Sequence, residues 1–144
     1  MQRHIALQKL SREHHDSLVM AQKILRTVKD ADQDELNQMI DIIREYYENE
    51  LEAHFQHEEQ AIFATLFKHY RQHIDLATVL LKEHGYLRIL VQRIKPDTAR
   101  ADLQDFATVL KNHTRIEERE LFPLIEELFS EDQFNAVVNF TPLE

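Results

Sequence analysis

Two stretches of the chain repeat one pattern of side chains that can bind metal. One reads HFQHEEQAIF from residue 54, and the other reads HTRIEERELF from residue 113. In each stretch a glutamate follows the histidine by four residues, so both side chains lie on one face of a helix, one turn apart. An imidazole and a carboxylate placed in this way can reach the same cation. The repeat therefore predicts two ligand pairs, His54 with Glu58 and His113 with Glu117.

Each pair is followed at once by a second glutamate, Glu59 or Glu118. On a helix the next residue is rotated by roughly 100°. We therefore expect these two carboxylates at the flank of the site, where they either accept a hydrogen bond from a ligand or remain solvated. In the second copy, Glu118 stays open as the alternative ligand to Glu117.

The elements that position these residues are four long amphipathic segments. Apolar residues recur at helical spacing from about residue 5 to 28, 35 to 69, 72 to 94 and 98 to 128. One glycine, three prolines and many good helix formers among 144 residues indicate an all-α fold. Short connections force neighbouring helices to run antiparallel. We predict a single domain over residues 1–144, an up-down-up-down antiparallel four-helix bundle with a short C-terminal helix from Ser130.

The two other segments also carry histidine among their apolar residues. His84 lies on the apolar stripe of the third segment, and the first segment carries adjacent His14 and His15. Only His14 aligns with that segment's apolar residues, which favours it as a ligand while leaving His15 as the alternative. His57 falls off its stripe and is interpreted as a surface residue. Glu83, next to His84, is considered as an outer hydrogen-bond partner of a ligand, but this role is not favoured.

Metal binding explains why so many polar groups lie on core-facing positions. A buried carboxylate without a partner is strongly destabilising, and this bundle would bury two of them with four histidines. Six such ligands are too many for one tetrahedral zinc ion and suit two ions bridged by carboxylates. Imidazole and carboxylate ligands in a chain without cysteine suit iron or manganese.

Composition excludes several other classes of protein. The formal net charge of −9, with basic residues dispersed among acidic ones, argues against nucleic-acid binding. The apolar runs are too short to span a membrane, and the first ten residues lack the apolar region of a signal peptide, so we expect a cytoplasmic protein. Both a monomer and a homodimer remain open, because the apolar tail residues could close the bundle or form a contact: Val137, Val138, Phe140 and Leu143.

The ordered set of candidate ligands resembles the hemerythrin-like (HHE cation-binding) domain from about Leu10 to Leu128. The residues that carry the resemblance are His14, His54-x-x-x-Glu58, His84 and His113-x-x-x-Glu117, closed by Glu120-Leu121-Phe122-Pro123. The resemblance implies a four-helix bundle that holds a non-haem di-iron centre. It also implies an oxo or hydroxo bridge between the ions and two bridging carboxylates.

The chain departs from the oxygen-carrying members of that family at two positions. The carriers have a second histidine one turn further along the third helix, where this chain has Arg88, and an aspartate where it has Glu118. The resemblance therefore implies a protein that binds dioxygen, nitric oxide or iron for sensing, storage or detoxification, rather than a plain oxygen carrier. The alternatives are a di-iron enzyme (an oxidase or a peroxide-reducing protein) and a structural bundle with a zinc site. Ferritin-like di-iron oxidases use two Glu-x-x-His motifs, whereas this chain has His-x-x-x-Glu, and this difference disfavours the enzyme.

Overall fold

The computed structural model describes residues 2–142, and within that range it contains only helices and the turns that join them. The all-α prediction is therefore confirmed. We number the helices along the chain: α1 is Gln8–Asp30, α2 covers residues 33–69, α3 is Ile74–Arg93, α4 covers residues 99–128, and the short α5 is Glu131–Val138. None of these helices is both long and apolar enough to cross a membrane.

Side-chain capping begins two of the helices, α2 and α5, but not α4. Asp32 caps α2, with its side chain accepting from the Glu35 amide at 2.9 Å while the Glu35 side chain accepts from the Asp32 amide at 3.2 Å. Ser130 begins α5 in the same way. Thr98 stands at the N-cap position of α4 but makes no side-chain capping bond, because Pro96–Thr98 forms a 3-10 turn and the Thr98 hydroxyl bonds to the backbone of Lys95.

Two helices contain π-helical segments. In α2 they are Tyr47–Leu51 and Glu59–Phe63, and in α4 there is one at Glu117–Leu121. The last two segments begin within the Glu-Glu pairs of the repeat. Because π-helical turns inside long helices are frequent at functional sites, their place in both copies marks the same region of the bundle.

The apolar core is divided into two clusters that lie on either side of a buried polar layer. One cluster joins the C-terminal part of α1 to the start of α2, the end of α3 and the start of α4. The other joins the start of α1, the end of α2, the start of α3, the end of α4 and α5. Packing at both ends fixes how each helix is rotated, and this orients the side chains in the layer between.

The C-terminal helix explains one wrong prediction from the sequence. His57 is buried rather than on the surface, because its Nε2–H donates to the carbonyl oxygen of Val137 at 2.7 Å and its ring stacks on Phe140 at 5.1 Å. Burial lowers the pKa of His57 and favours the neutral ring. Val137 and Phe140 therefore pack on the bundle, whereas Leu143 lies outside the described residues.

Candidate metal centre

The polar layer between the two apolar clusters contains six buried side chains that offer metal ligands. They come from α1 (His14), α2 (His54 and Glu58), α3 (His84) and α4 (His113 and Glu117). The structure thus brings together the six side chains that the sequence predicts as ligands. The adjacent His15 is exposed and does not join them.

The ligand atoms form two groups of four, and both carboxylates belong to both groups. His14 and His54 define the first group, His84 and His113 define the second, and in each the ligand atoms lie within 4.8 Å of one another. The imidazole rings of a group are close, with centroids 4.7 Å apart in the first and 4.8 Å apart in the second. Two cations at these positions would be neighbours.

Glu58 presents one carboxylate oxygen to each group. Its Oε2 lies 3.0 Å from His14 Nε2 and 3.2 Å from His54 Nε2, while its Oε1 lies 3.1 Å from His84 Nε2. This is the geometry of a carboxylate that bridges two positions.

Glu117 is divided between the groups in the same way. Its Oε1 lies 2.9 Å from His14 Nε2, and its Oε2 lies 3.2 Å from His113 Nε2. Each copy of the repeat therefore supplies one carboxylate with an oxygen toward each group of imidazoles.

A second set of four carboxylates holds the outer nitrogen of every imidazole. Each ring points Nε2 into the cluster and donates from Nδ1–H to a glutamate of a neighbouring helix, at 2.6 to 2.8 Å. The four pairs are His14 with Glu118, His54 with Glu13, His84 with Glu59, and His113 with Glu83. Because Nδ1 carries the proton, the neutral ring presents its Nε2 lone pair inward, which is the tautomer that a metal ligand needs.

Of the four outer carboxylates, the sequence predicts the positions of two and does not assign the other two. The flanking positions of Glu59 and Glu118 are confirmed, and both accept from imidazoles. Glu83 has the outer role that the sequence analysis considered but did not favour, since it accepts from His113. Glu13, which the sequence analysis did not assign, accepts from His54. The sequence does contain a signal for these partners, because every outer glutamate is the immediate neighbour of a residue of the cluster. Neighbouring residues on a helix are rotated by about 100°, so the outer glutamate lies toward the next helix.

Two arginines hold two of these outer carboxylates. Arg88 donates to Glu59 at 2.7 Å and to both oxygens of Glu52 at 2.7 Å, and its guanidinium lies 5.3 Å from the centroid of the Phe55 ring. Arg3 pairs more loosely with Glu118, at 3.3 Å. Arg88 therefore does not extend into the cluster in place of the carriers' histidine but acts through Glu59 on His84.

The cluster shifts its own ionisation. Burial alone would lower the pKa of His113, but the charge of Glu117 and hydrogen bonds to Glu117 and Glu83 outweigh it and raise the pKa to about 9. Burial and the charge of Glu58 would raise the pKa of Glu117, yet His113 and His14 together lower it to about 2. The metal-free cluster therefore favours an ionised Glu117 and a protonated His113 near neutral pH.

Several atoms of the cluster fit a bound cation better than they fit one another. Glu58 Oε1 and both carboxylate oxygens of Glu117 are buried without a hydrogen-bond partner, although imidazole nitrogens lie close to them. His84 Nε2 and His113 Nε2 are 3.1 Å apart, so at most one proton can lie between them. Unpaired buried charge is costly, on the order of several kcal/mol per group. Cations among these atoms would satisfy every one of them, and the imidazole and carboxylate donors suit iron or manganese.

Comparison with known proteins identifies one family. The model of the hemerythrin HHE cation binding domain matches residues 6–125. No curated protein and no solved structure matches the chain.

Proposed function

The chain belongs to the hemerythrin HHE cation binding domain family, and we propose that it binds two iron ions in the buried cluster. His14 and His54 would hold one ion, His84 and His113 the other, and Glu58 and Glu117 would bridge them. The observation that carries the proposal is the division of both carboxylates, each with one oxygen toward each pair of imidazoles. A cation-binding family and a matching donor set support the same conclusion.

We propose iron rather than zinc because of the donor chemistry and the shared carboxylates. Imidazole and carboxylate without thiolate suit iron and manganese, and paired iron ions bridged by carboxylates recur in helical bundles. Manganese or zinc in the same six ligands is the alternative that metal analysis distinguishes. An oxo or hydroxo bridge between the ions belongs to the proposal as well.

We propose that the physiological ligand is small, such as dioxygen or nitric oxide, and that the role is sensing, storage or detoxification. The six cluster side chains are at most 4% exposed, which favours a gas over a larger organic substrate. A pair of ferrous ions, when bound, supplies a redox-active centre that such gases can bind. The cluster side chains would hold each ion in place. Arg88 occupies the sequence position at which oxygen carriers have a further histidine ligand, but it bonds to Glu59 and Glu52 instead.

The finer architecture is part of the proposal. We propose one domain in which α1 to α4 form an antiparallel bundle, as a monomer or homodimer. Short connections support this arrangement, since residues 31–32 join α1 to α2 and residues 70–73 join α2 to α3. The four outer carboxylates also support a bundle of these four helices, because each imidazole bonds to a glutamate of an adjacent helix.

Anaerobic reconstitution with ferrous ion tests the function. We expect two iron ions per chain, and a change of the visible absorption spectrum when dioxygen or nitric oxide is added. The matched control is the double variant His54→Ala/His113→Ala, which removes one imidazole from each group and should show no such change. A colourless protein that takes up only zinc would contradict the proposal, and steady turnover with peroxide would move it toward an enzyme.

A further inference from the structure

A cavity of about 310 Å³ opens between α1 and α2 and reaches the buried cluster. Its lining runs from the exposed residues Asp16 and Glu50 to the buried residues Ser17, Tyr46 and His54. His54 is the member of the cluster that lines this cavity, and its side chain, at 4%, is the most exposed of the six. The cavity therefore connects solvent to the first group of ligands.

The carboxylates along this cavity form a series toward His54. Asp16 and Glu50 lie at the outer end, and Glu13 lies further in, about one-third exposed, with its Oε1 2.8 Å from His54 Nδ1. Lys9 also lines the cavity, but its contact with Glu13 is long, at 3.5 Å, and its side chain is 60% exposed. A cation that enters would meet anionic groups at every step.

The inner end of the cavity points toward groups that lack partners. His54 Nε2 lies 3.2 Å from Glu58 Oε2, and the other oxygen of Glu58 is buried without a hydrogen bond. Glu13 is held by His54 and by the loose contact with Lys9, whereas Glu59 and Glu118 are paired with arginines. Glu13 is thus the outer carboxylate that both faces the cavity and is free of an arginine in the described part of the chain.

We propose that this cavity is the route by which ferrous ion enters and leaves the centre. Asp16 and Glu50 attract the hydrated cation, Glu13 receives it, and His54 takes it into the first group of ligands as its water is released. The inference rests on the proposed function, because it needs a centre that binds iron. The inference adds an order of binding, in which iron from solvent first reaches the group of ligands that contains His14 and His54.

The rate of iron uptake tests the route separately from the capacity of the centre. Metal-free protein is mixed with ferrous ion anaerobically, and unbound iron is measured with a chelating dye at successive times. Because charge at an entrance raises the local cation concentration, Asp16→Asn/Glu50→Gln should load about three- to tenfold more slowly at low salt. The difference should shrink as salt rises, and the final iron content should equal that of the unmodified protein.

Two further variants complete the design. Asp41→Asn/Glu127→Gln removes the same charge from exposed residues that do not line the cavity, and it should load at the unmodified rate. Ala53→Leu enlarges a residue of the cavity wall without changing charge, and it should slow loading at every salt concentration.

The possible results separate the two proposals. Unchanged rates in both cavity variants, with normal final iron content, would overturn the route and leave the proposed function standing. Slower loading by the charge variant alone, with Ala53→Leu unaffected, would also overturn passage through the cavity. If the unmodified protein takes up no iron, the proposed function fails and the route fails with it.

Discussion

The half of the centre built on His14 and His54 and the half built on His84 and His113 have the same ligands but different surroundings. Each half has two imidazoles, shares both carboxylates, and has one outer carboxylate paired with an arginine. Each half has one ring at a similar distance, since Phe122 lies 5.0 Å from His14 and Phe63 lies 5.5 Å from His84. The second half has a further ring, Phe55, which stacks on His84 at 3.9 Å. In the first half, His54 reaches the cavity between α1 and α2.

The difference originates in one position of the repeat. Phe55 follows His54 in α2, whereas the buried Thr114 follows His113 in α4. Phe55 covers His84, and Arg88 in turn lies over Phe55. The repeat therefore duplicates the ligands but not the access to them, so ions bound in the two halves should bind alike and exchange differently.

The largest expected effect falls on both halves together and comes from pH. The metal-free cluster raises the pKa of His113 to about 9 through Glu117 and Glu83, despite burial, and raises the pKa of His14 well above its usual range. Metal must displace these protons, so affinity for iron falls as pH falls, by about tenfold per pH unit for each proton displaced. Chelator competition from about pH 8 to pH 5 measures this. An affinity independent of pH would show that imidazoles are not the ligands.

Loss of a bridging carboxylate should also break both halves. Glu58→Gln keeps the volume of the side chain but removes its charge, and we expect affinity for both ions to fall by more than the roughly 10–100-fold that outer partners cost. Iron content after dialysis measures the loss. Glu120→Gln, an exposed glutamate of α4, is the matched control and should retain two ions. Loss of only one ion from Glu58→Gln would contradict the bridge.

Single imidazole substitutions should separate the halves. His54→Ala and His113→Ala should each lower the iron content from two ions per chain to about one, since each leaves the other pair of imidazoles complete. The remaining ion should exchange slowly in His54→Ala, because it lies in the covered half, and faster in His113→Ala. Exchange with an isotope of iron gives the two rates, and equal rates would refute the difference in access.

The smallest effects should come from the two arginines. Arg88→Gln releases Glu59 from short contacts at 2.7 and 3.2 Å, and we expect about tenfold weaker binding in the second half. Arg3→Gln releases Glu118 from a longer contact at 3.3 Å and should weaken the first half by less. Calorimetric titration of both variants with iron measures the two losses of affinity. A larger loss of affinity in Arg3→Gln than in Arg88→Gln would contradict the prediction.

The six cluster residues could be predicted from sequence because each lies on the apolar stripe of its helix and because each His-x-x-x-Glu pair has the spacing of one helical turn. His14 was distinguished from His15 by its alignment with Leu10 and Ala21, and the structure places it in the cluster. The partners of the imidazole Nδ1 atoms could not be assigned, because which neighbouring helix Glu13 or Glu83 meets depends on packing.

Burial by a distant segment was equally invisible in the sequence. His57 lies off the stripe of α2 and reads as a surface residue, yet α5 covers it from the far end of the chain. Phe55 is predicted as a core residue and is buried. Its contact with His84 makes the centre asymmetric, because the equivalent position in the second copy of the repeat is Thr114. Both are tertiary effects that no local pattern reports.

The most direct test of the centre is a crystal structure of the iron-loaded protein with anomalous scattering recorded at the iron edge. We predict two peaks inside the bundle, one beside His14 and His54 and one beside His84 and His113, each also in contact with an oxygen of Glu58 and of Glu117. A single peak, or peaks confined to surface carboxylates, would contradict the account.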